Sequence, residues 1–491
     1  MGAKIAVSEL HAPPGLPGPA AMVNGLVMNP AFRSAWAMLG VIFDHAQHPH
    51  RALQMLMRAH FLGPEDQAVV LVLIQMAIKT GQGALAITLL EKMPAAIPTD
   101  LPIAEYWVKA HHAMGDYESM RARLVPLLAH YPERADFCAM MAEALEALGK
   151  PTQARHHQME AVRLRGGVLT IPAKSQAETH ILFLCSGSGA DLPIDFLFDQ
   201  NRFDMSFVYP TALDPGTQIP EIDLVFNAAA DPDIGLADFD AVGELATRHP
   251  MIARAPLLNR PKLLPRTRRD HARALFAGID GILVPETQRL TAVDLDHLAR
   301  QSSPWDGAKL VRTAGTHGGD ALDKVESADQ LSAFLQAHMA DHYYLTDYVD
   351  YRSHDGWFRK YRFIFINRKP HPFHLAIMDH WKIHYWRAGM SVDAWRCAEE
   401  EAFMRDPRSA FSPQALAAID AIARAMDLDY GGLDCALMPD GRVIVFEANA
   451  AMLVHLNDDP VQYPYKHELV PKIRDAMSDF LLSQAADRRS P

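Results

Sequence analysis

The densest set of chemically capable side chains lies near the carboxyl end, in DYGGLDCALMPDGRVIVFEANA, residues 429 to 450. Asp434 and Glu447 stand 13 residues apart, and Asn449 follows Glu447 by two. Three oxygen-bearing side chains suit a hard divalent cation such as Mg²⁺, which keeps part of its water shell and bridges carboxylates to nucleotide phosphates. They can act together only if the chain folds back between them. GLDCALM reads as a strand, PDG at 439 to 441 as a turn, and RVIVFEANA as a returning strand. Antiparallel pairing then brings Asp434 and Glu447 together, and the two-residue period puts Asn449 on the face of Glu447. The competing reading is a charged hairpin directed at solvent; the apolar VIVF run, which would bury the second strand, argues against it.

Three upstream segments could complete a site. GAKLVRTAGTHGGDA, residues 307 to 321, reads as a strand entering a glycine-rich loop. Gly315, Gly318 and Gly319 would let backbone NH groups approach a phosphate, although an ordinary turn has the same composition. HYYLTDYVDY, residues 342 to 351, reads as a strand whose aromatics a buried edge explains equally well. FRKYRFIFINRKPHPFHLAI, residues 358 to 377, reads as two strands around a short turn with cations at its entrance. Lys360, His371, His374, Trp381 and His384 could line an acceptor site, and nothing in the sequence separates them from structural residues.

In this order and spacing the segments resemble the ATP-grasp family, of the carboxylate-amine ligase type, over about residues 178 to 485. The resemblance implies an α/β domain over 178 to 260 followed by nucleotide-binding and catalytic lobes over 261 to 485. It implies ATP and Mg²⁺ as cofactors, with Asp434, Glu447 and Asn449 holding the metal. Lys309 and Arg312 would be the cationic strand, and Gly315, Gly318 and Gly319 the mobile loop over the phosphates. Asp347 would meet the adenine or ribose end, and the Val349 backbone the adenine edge. Arg362 would contact the terminal phosphate and the developing acyl phosphate, where a fixed guanidinium stabilises charge spread over transferring oxygens. The chain departs from the family pattern at two lysine positions, one holding Arg312, with Lys309 three residues earlier, and one holding Arg268 and Arg269. Arginine keeps the charge but not the compact ammonium geometry.

Further upstream, HILFLC at 180 to 185, MSFVYP at 205 to 210 and IDLVFNAAAD at 222 to 231 are short apolar runs that predict an open α/β sheet. Gly187 and Gly189 lack the third glycine of a dinucleotide fingerprint and lead into proline, which argues against a nicotinamide site. Residues 33 to 168 repeat instead. Gly81, Gly115 and Gly149 recur every 34 residues, with Gln47 one step earlier. Pro64, Pro98 and Pro132 keep the same interval, as do Ala52, Ala86, Met120 and Ala154. Glycine suits the turn between paired helices, the small residue their close approach, and proline the end of the second helix.

These positions resemble the tetratricopeptide repeat family, with units at about 33 to 66, 67 to 100, 101 to 134 and 135 to 168. The large aromatics of the family's first helix are mostly absent, although Trp36 and Trp107 occur nearby. The resemblance implies a superhelical surface for a peptide or protein partner; a stabilising arm or a dimerisation surface is the other reading. Residues 1 to 32, with PPGLPGPAA at 13 to 21, read as a flexible amino-terminal segment.

Composition bounds the rest. The chain has 491 residues, 49% apolar and 22% charged, which fits several globular domains and excludes wholesale disorder. With 59 acidic against 47 basic residues the formal charge is −12, which disfavours nucleic acid as the principal partner. Cys138, Cys185, Cys397 and Cys435 form no CxxC pair, so neither a zinc site nor a disulfide framework is indicated and a reducing cytoplasm fits best. His111-His112 and His156-His157 lack second ligands at metal spacing. No apolar run approaches the roughly 20 residues that cross a bilayer, so no membrane partner is expected.

The expectation is a multidomain α plus α/β chain: an amino-terminal helical-repeat solenoid, an open α/β module and an ATP-grasp fold. Its function would be ATP-dependent carboxylate-amine ligation through an acyl phosphate, releasing ADP and phosphate, on a peptide or carrier-bound substrate held by the repeats. The alternatives are an ATP-binding scaffold or sensor whose repeats recruit a protein, and a phosphotransferase.

Overall fold

The computed structural model describes residues 19–93, 101–186, 190–194, 196–213, 216–300, 307–316, 319 and 321–489. Two compact units divide the chain, Met1–Leu164 and Arg165–Pro491. Pro98, Gly187, Gly189 and Gly318 lie outside the described residues.

The first unit is helical. Helix α1 spans Pro19–Met28, and four pairs follow: α2 (Arg33–His45) with α3 (Pro49–Leu62), α4 (Gln67–Lys79) with α5 (Gly83–Glu91), α6 (Leu101–Met114) with α7 (Tyr117–His130), and α8 (Ala135–Ala147) with α9 (Pro151–Leu164). The leading helices start 34 residues apart, as the sequence period requires. Within each pair the turn residue is left-handed: φ is 60° at Gln47, 73° at Gly81, 69° at Gly115 and 68° at Gly149. The next amide then reaches back five residues. His48 donates to the Phe43 carbonyl, Gln82 to Ala77, Asp116 to His111 and Lys150 to Leu145, at 2.7–3.0 Å. This closure satisfies helix-end carbonyls and needs a left-handed residue, for which glycine carries no Cβ penalty. Ala52, Ala86, Met120 and Ala154 are buried, none above 4% exposed, as their place between paired helices demands. Pro64 and Pro132 stand in turns just past α3 and α7. Within the segment expected to be flexible, residues 1 to 32, Pro19–Met28 form α1, which packs Met22 against Ala35 and Leu39, while residues 1 to 18 lie outside the described residues.

The second unit is built on three sheets. The first has the order β1-β3-β2-β4-β5, from Val168–Ile171 (β1), Thr179–Leu184 (β2), Phe203–Val208 (β3), Leu224–Asn227 (β4) and Leu257–Leu258 (β5). Strands β2 to β5 are parallel, and β1 joins β3 antiparallel. The apolar runs at 180, 205 and 222 are β2, β3 and β4, buried on both faces as continuous hydrophobic strands must be. Two expected boundaries move. The repeats end at Leu164 rather than 168, and β1 lies between 168 and the expected domain start at 178. β1 is the short run VLTI, and as a four-residue edge strand with no buried position it is too short to stand out beside the repeats.

The second sheet is antiparallel, ordered β7-β10-β8-β9 from Thr287–Thr291 (β7), Lys309–Thr313 (β8), Leu322–Val325 (β9) and His342–Asp347 (β10). The third is ordered β12-β11-β13-β14-β6, from Ile282–Leu283 (β6), Phe358–Ile366 (β11), Lys369–Met378 (β12), Tyr430–Leu437 (β13) and Val443–Asn449 (β14). Both hairpins foreseen in the sequence are present. Asn367 and Arg368, at φ 47° and 62°, make the two-residue turn between β11 and β12. Gly441, at φ 87°, closes the turn between β13 and β14. Among the described residues no helix is long and apolar enough to cross a membrane.

Candidate active site

Strand register assembles the polar groups of the third sheet. Arg362 on β11 lies opposite Asp434 on β13, and Asp434 lies opposite Glu447 on β14. Lys360 and Asn449 stand two residues from Arg362 and Glu447 and so share their face. A bulge follows Arg362 in the β11–β12 pairing and another follows Asp434 in the β13–β14 pairing, irregularities that locally re-aim side chains. His374 on β12 completes the row opposite Arg362. The second sheet contributes Leu310 and Arg312 from β8 and Tyr344 and Thr346 from β10, and the two sheets together line a cleft of about 440 Å³.

Polarity changes along this cleft. Val284, Leu310 and Val349 make an apolar stretch, and the backbone bond from Asp347 N to Glu286 O holds the β10 end beside the segment carrying Val284. Arg312, two residues beyond Leu310, begins a cationic stretch with Arg269, Lys360 and Arg362. Asp434 is almost fully buried; its carboxylate accepts from Arg362 Nε at 2.6 Å and Nη2 at 2.9 Å, and from Lys360 Nζ at 3.0 Å. Burial alone would raise this carboxyl, but the Arg362 and Lys360 cations outweigh it and hold it well below the usual range. Glu447 Oε1 lies 2.5 Å from Arg269 Nη2 and accepts from Asn449 Nδ2 at 2.6 Å, while Asn449 Oδ1 accepts from the Ala451 amide at 2.9 Å. Among the described residues no carboxylate grips Arg312 in this way, although Glu447, Asp434 and Asp233 act on it from farther off. Its buried Nε has no hydrogen-bond partner, and burial, reinforced by repulsion from Arg269, pushes its guanidinium down to about 10.

The donor set fits a hard cation. Asp434, Glu447 and Asn449 offer carboxylate and amide oxygens from one sheet face into one cleft, the chemistry Mg²⁺ prefers. Among the described residues no three His, Cys, Asp or Glu side chains converge on one point. An ion here would therefore complete its shell with water and phosphate oxygens, as Mg²⁺ commonly does.

The remaining candidates divide. Asp347, Val349 and Gly319 line the cleft. Lys309 does not; its ammonium lies 2.6 Å from Asp347 Oδ1, the residue opposite it on β10. Gly315 is also outside the lining: at φ 75°, a side chain there would meet Ile234 at 3.2 Å. Of the two arginines in the TRRDH run, Arg268 is held by Asp270 at 2.7 Å, and only Arg269 reaches the cleft.

Several groups had no signal in the sequence. Tyr344 donates to Asp233 Oδ1 at 2.5 Å and so ties β10 to the first sheet's loops. Behind the cleft wall, Lys466 contacts the Tyr385 hydroxyl, Glu400 at 3.2 Å and Asp458 at 3.3 Å, all three charged groups being buried. Glu400 also accepts from the Tyr465 hydroxyl at 2.6 Å and the Leu375 amide at 3.1 Å. Burial opposes charge on both partners, pushing the Glu400 carboxyl up and the Lys466 ammonium down. Tyr385, His374 and His455 line the cleft in front of this cluster.

No protein-family model and no curated protein matches the chain. Among solved structures, it is similar to MamA MSR-1 C2 at 20% identity, covering 30% of this chain and 88% of that one with a TM-score of 0.26. It is similar to a RimK domain protein ATP-grasp from Sphaerobacter thermophilus DSM 20745 at 13% identity, over 62% of this chain and 99% of that one, with a TM-score of 0.36. It is likewise similar to the D-alanine-D-alanine ligase from Coxiella burnetii at 12% identity, over 64% and 97%, with a TM-score of 0.37. At such identities and scores these likenesses carry no functional weight, which rests on the cleft itself: the chain joins a helical-repeat unit to an α/β unit in which an antiparallel and a mixed sheet line a cationic cleft.

Proposed function

We propose that the second unit is an ATP-dependent carboxylate-amine ligase. The observation that carries this reading is the composition of one cleft: an apolar stretch at Val284, Leu310 and Val349 leads into the cations Arg269, Arg312, Lys360 and Arg362 and a row of hard oxygen donors. A nucleoside triphosphate has the matching polarity, a flat base at one end and a polyanion at the other. Asp434, Glu447 and Asn449 would hold Mg²⁺, which when bound neutralises the triphosphate and orients its terminal phosphoryl group. Arg362 and Lys360, already fixed by Asp434, would stabilise the charge that spreads over the phosphoryl oxygens as a substrate carboxylate attacks. Because they are held before substrate arrives, little reorganisation is needed during reaction. Closure of the cleft over its substrates would keep water from the resulting acyl phosphate until an amine displaces phosphate and forms the amide. Gly319, which lines the cleft, belongs to the loop that would cover the phosphates.

The repeats would hold a peptide or carrier-bound substrate, a reading supported by a groove on the first unit lined by Gln75, Lys79, Glu105, Tyr106 and Lys109. The test is the Glu447→Gln variant with ATP, Mg²⁺ and mixtures of small acids, amines and peptides, with ADP and product masses recorded. Expected is loss of product formation in a chain that still folds; unchanged turnover would remove the metal role of Glu447. A product lighter by water than its two components identifies ligation. Gain of a phosphate would identify a phosphotransferase, and absence of ADP a scaffold.

A further inference from the structure

The charge in the cleft does not balance. Among its described lining residues near Asp434 and Glu447, four cations (Arg269, Arg312, Lys360 and Arg362) face two carboxylates. Each carboxylate is already engaged. Asp434 is gripped by Arg362 and Lys360, and Glu447 Oε1 is shared between Arg269 at 2.5 Å and the Asn449 amide at 2.6 Å. Arg269 also reaches the Phe446 carbonyl at 3.4 Å, so its guanidinium lies along β14 beside the carboxylate. Asn449 presents its amide nitrogen to Glu447, and its oxygen accepts from Ala451. A lone divalent cation entering this cleft would have to displace one guanidinium, turn one amide and remain in a field with two positive charges in excess. In a low-dielectric cleft such repulsion is costly.

We propose that Arg269 makes divalent-cation binding conditional on a polyphosphate, so that the cleft accepts the metal with the nucleotide and rejects the bare ion. This rests on the reading of the cleft as a nucleotide site. A polyphosphate offers Arg269 an alternative to Glu447, and Arg312 the close anion that its unpartnered Nε lacks. Once Arg269 turns to phosphate, Glu447 is released and the local field changes sign. Coupling of this kind is reciprocal, so the metal must strengthen polyphosphate binding by the same factor.

The test uses the full chain and Mn²⁺, a carboxylate-preferring ion whose free form is counted by electron paramagnetic resonance. Mn²⁺ is titrated alone, with a non-hydrolysable ATP analogue, and with inorganic tripolyphosphate, each against a protein-free blank that subtracts chelation by the anion itself; analogue binding without metal is measured by calorimetry. Expected is Mn²⁺ binding strengthened on the order of tenfold or more by either anion, within the range of site-to-site couplings. Arg269→Gln should bind Mn²⁺ alone more tightly than the wild type and lose most of the enhancement. Wild-type protein that binds the analogue yet takes up Mn²⁺ equally well without it overturns the proposal while leaving the nucleotide reading intact. A folded Arg269→Gln with wild-type dependence removes Arg269 from the role. Should that variant not fold, Arg269→Lys decides instead: its single ammonium, unable to span Glu447 and the Phe446 carbonyl together, should weaken the dependence, and an unchanged value counts against the assignment. Failure of the analogue and of tripolyphosphate to bind at all overturns the nucleotide reading and this proposal together.

Discussion

The repeat unit and the cleft solve the same problem, placing particular residues where they are needed, by opposite routes. In the repeats each turn is closed by residues five apart, and the same bond recurs from Phe43–His48 to Leu145–Lys150. In the unit that carries the cleft the decisive pairs are remote: Arg362 meets Asp434 across 72 positions, and outside the cleft lining Asn259 holds Asp429 and Tyr430 from 170 and 171 residues away. Local closure distributes stability in small, separable amounts. Remote pairing of buried charge concentrates it, because removing one member strands the others away from water.

That contrast can be broken at its strong end first. Asp434→Ala leaves Arg362 and Lys360 facing each other without an anion, and urea unfolding should show a loss of about 3–5 kcal/mol; a loss below about 1 kcal/mol would class the row with exposed ion pairs. Asp434→Ala and Arg362→Ala together should cost far less than their sum, since they share one interaction. Gly115→Ala is the matching test in the repeats. An added Cβ meets nothing within 4 Å, so the expected cost of about 1–2 kcal/mol is conformational alone. Combined with Gly149→Ala it should add, within about 0.5 kcal/mol, because the turns share no partner.

Acid should also separate the units. Burial, helped by Arg362, pushes His374 well below its ordinary value. The unfolded chain then binds the proton first, so the stability His374 contributes is present above about pH 6.5 and falls by up to about 1.4 kcal/mol per pH unit below it. His374→Gln should flatten that slope in a pH series of urea midpoints, and an unchanged slope would assign it to other groups. The smallest effect expected is a gain. Gln47 holds at φ 60° the place glycine holds in the other three turns, and Gln47→Gly should stabilise the repeat unit by about 0.5–1 kcal/mol in thermal unfolding. No gain would mean that the glutamine side chain makes good its backbone cost.

The same division governs what could be read from the sequence. The 34-residue combs and both hairpins were legible because turn chemistry and periodicity act within a few residues. The oxygen row of Asp434, Glu447 and Asn449 was legible because it lies on one hairpin, so a two-residue period fixed its face. The charge arrangement around it was not. Lys309 and Arg312 sit on one strand and looked alike, yet one is spent on Asp347 and the other is left without a partner for its Nε, a difference fixed by the β8–β10 register. Lys466 sits in a polar helix and carries no mark of burial; only the helix Ala394–Arg405, which brings Glu400, and the chain before Asp458 make it a core residue. Strand β1 and helix α1 escaped for a simpler reason: both are short, and tertiary packing rather than local pattern supports them.

The uniform turn closures carry a further consequence for how such a chain can change. Cutting from one left-handed residue to its equivalent 34 positions on joins the same backbone closure, whereas any other excision rotates an apolar stripe out of contact. The solenoid's length is thus quantised, and descendants could gain or lose whole rungs without inventing a new joint.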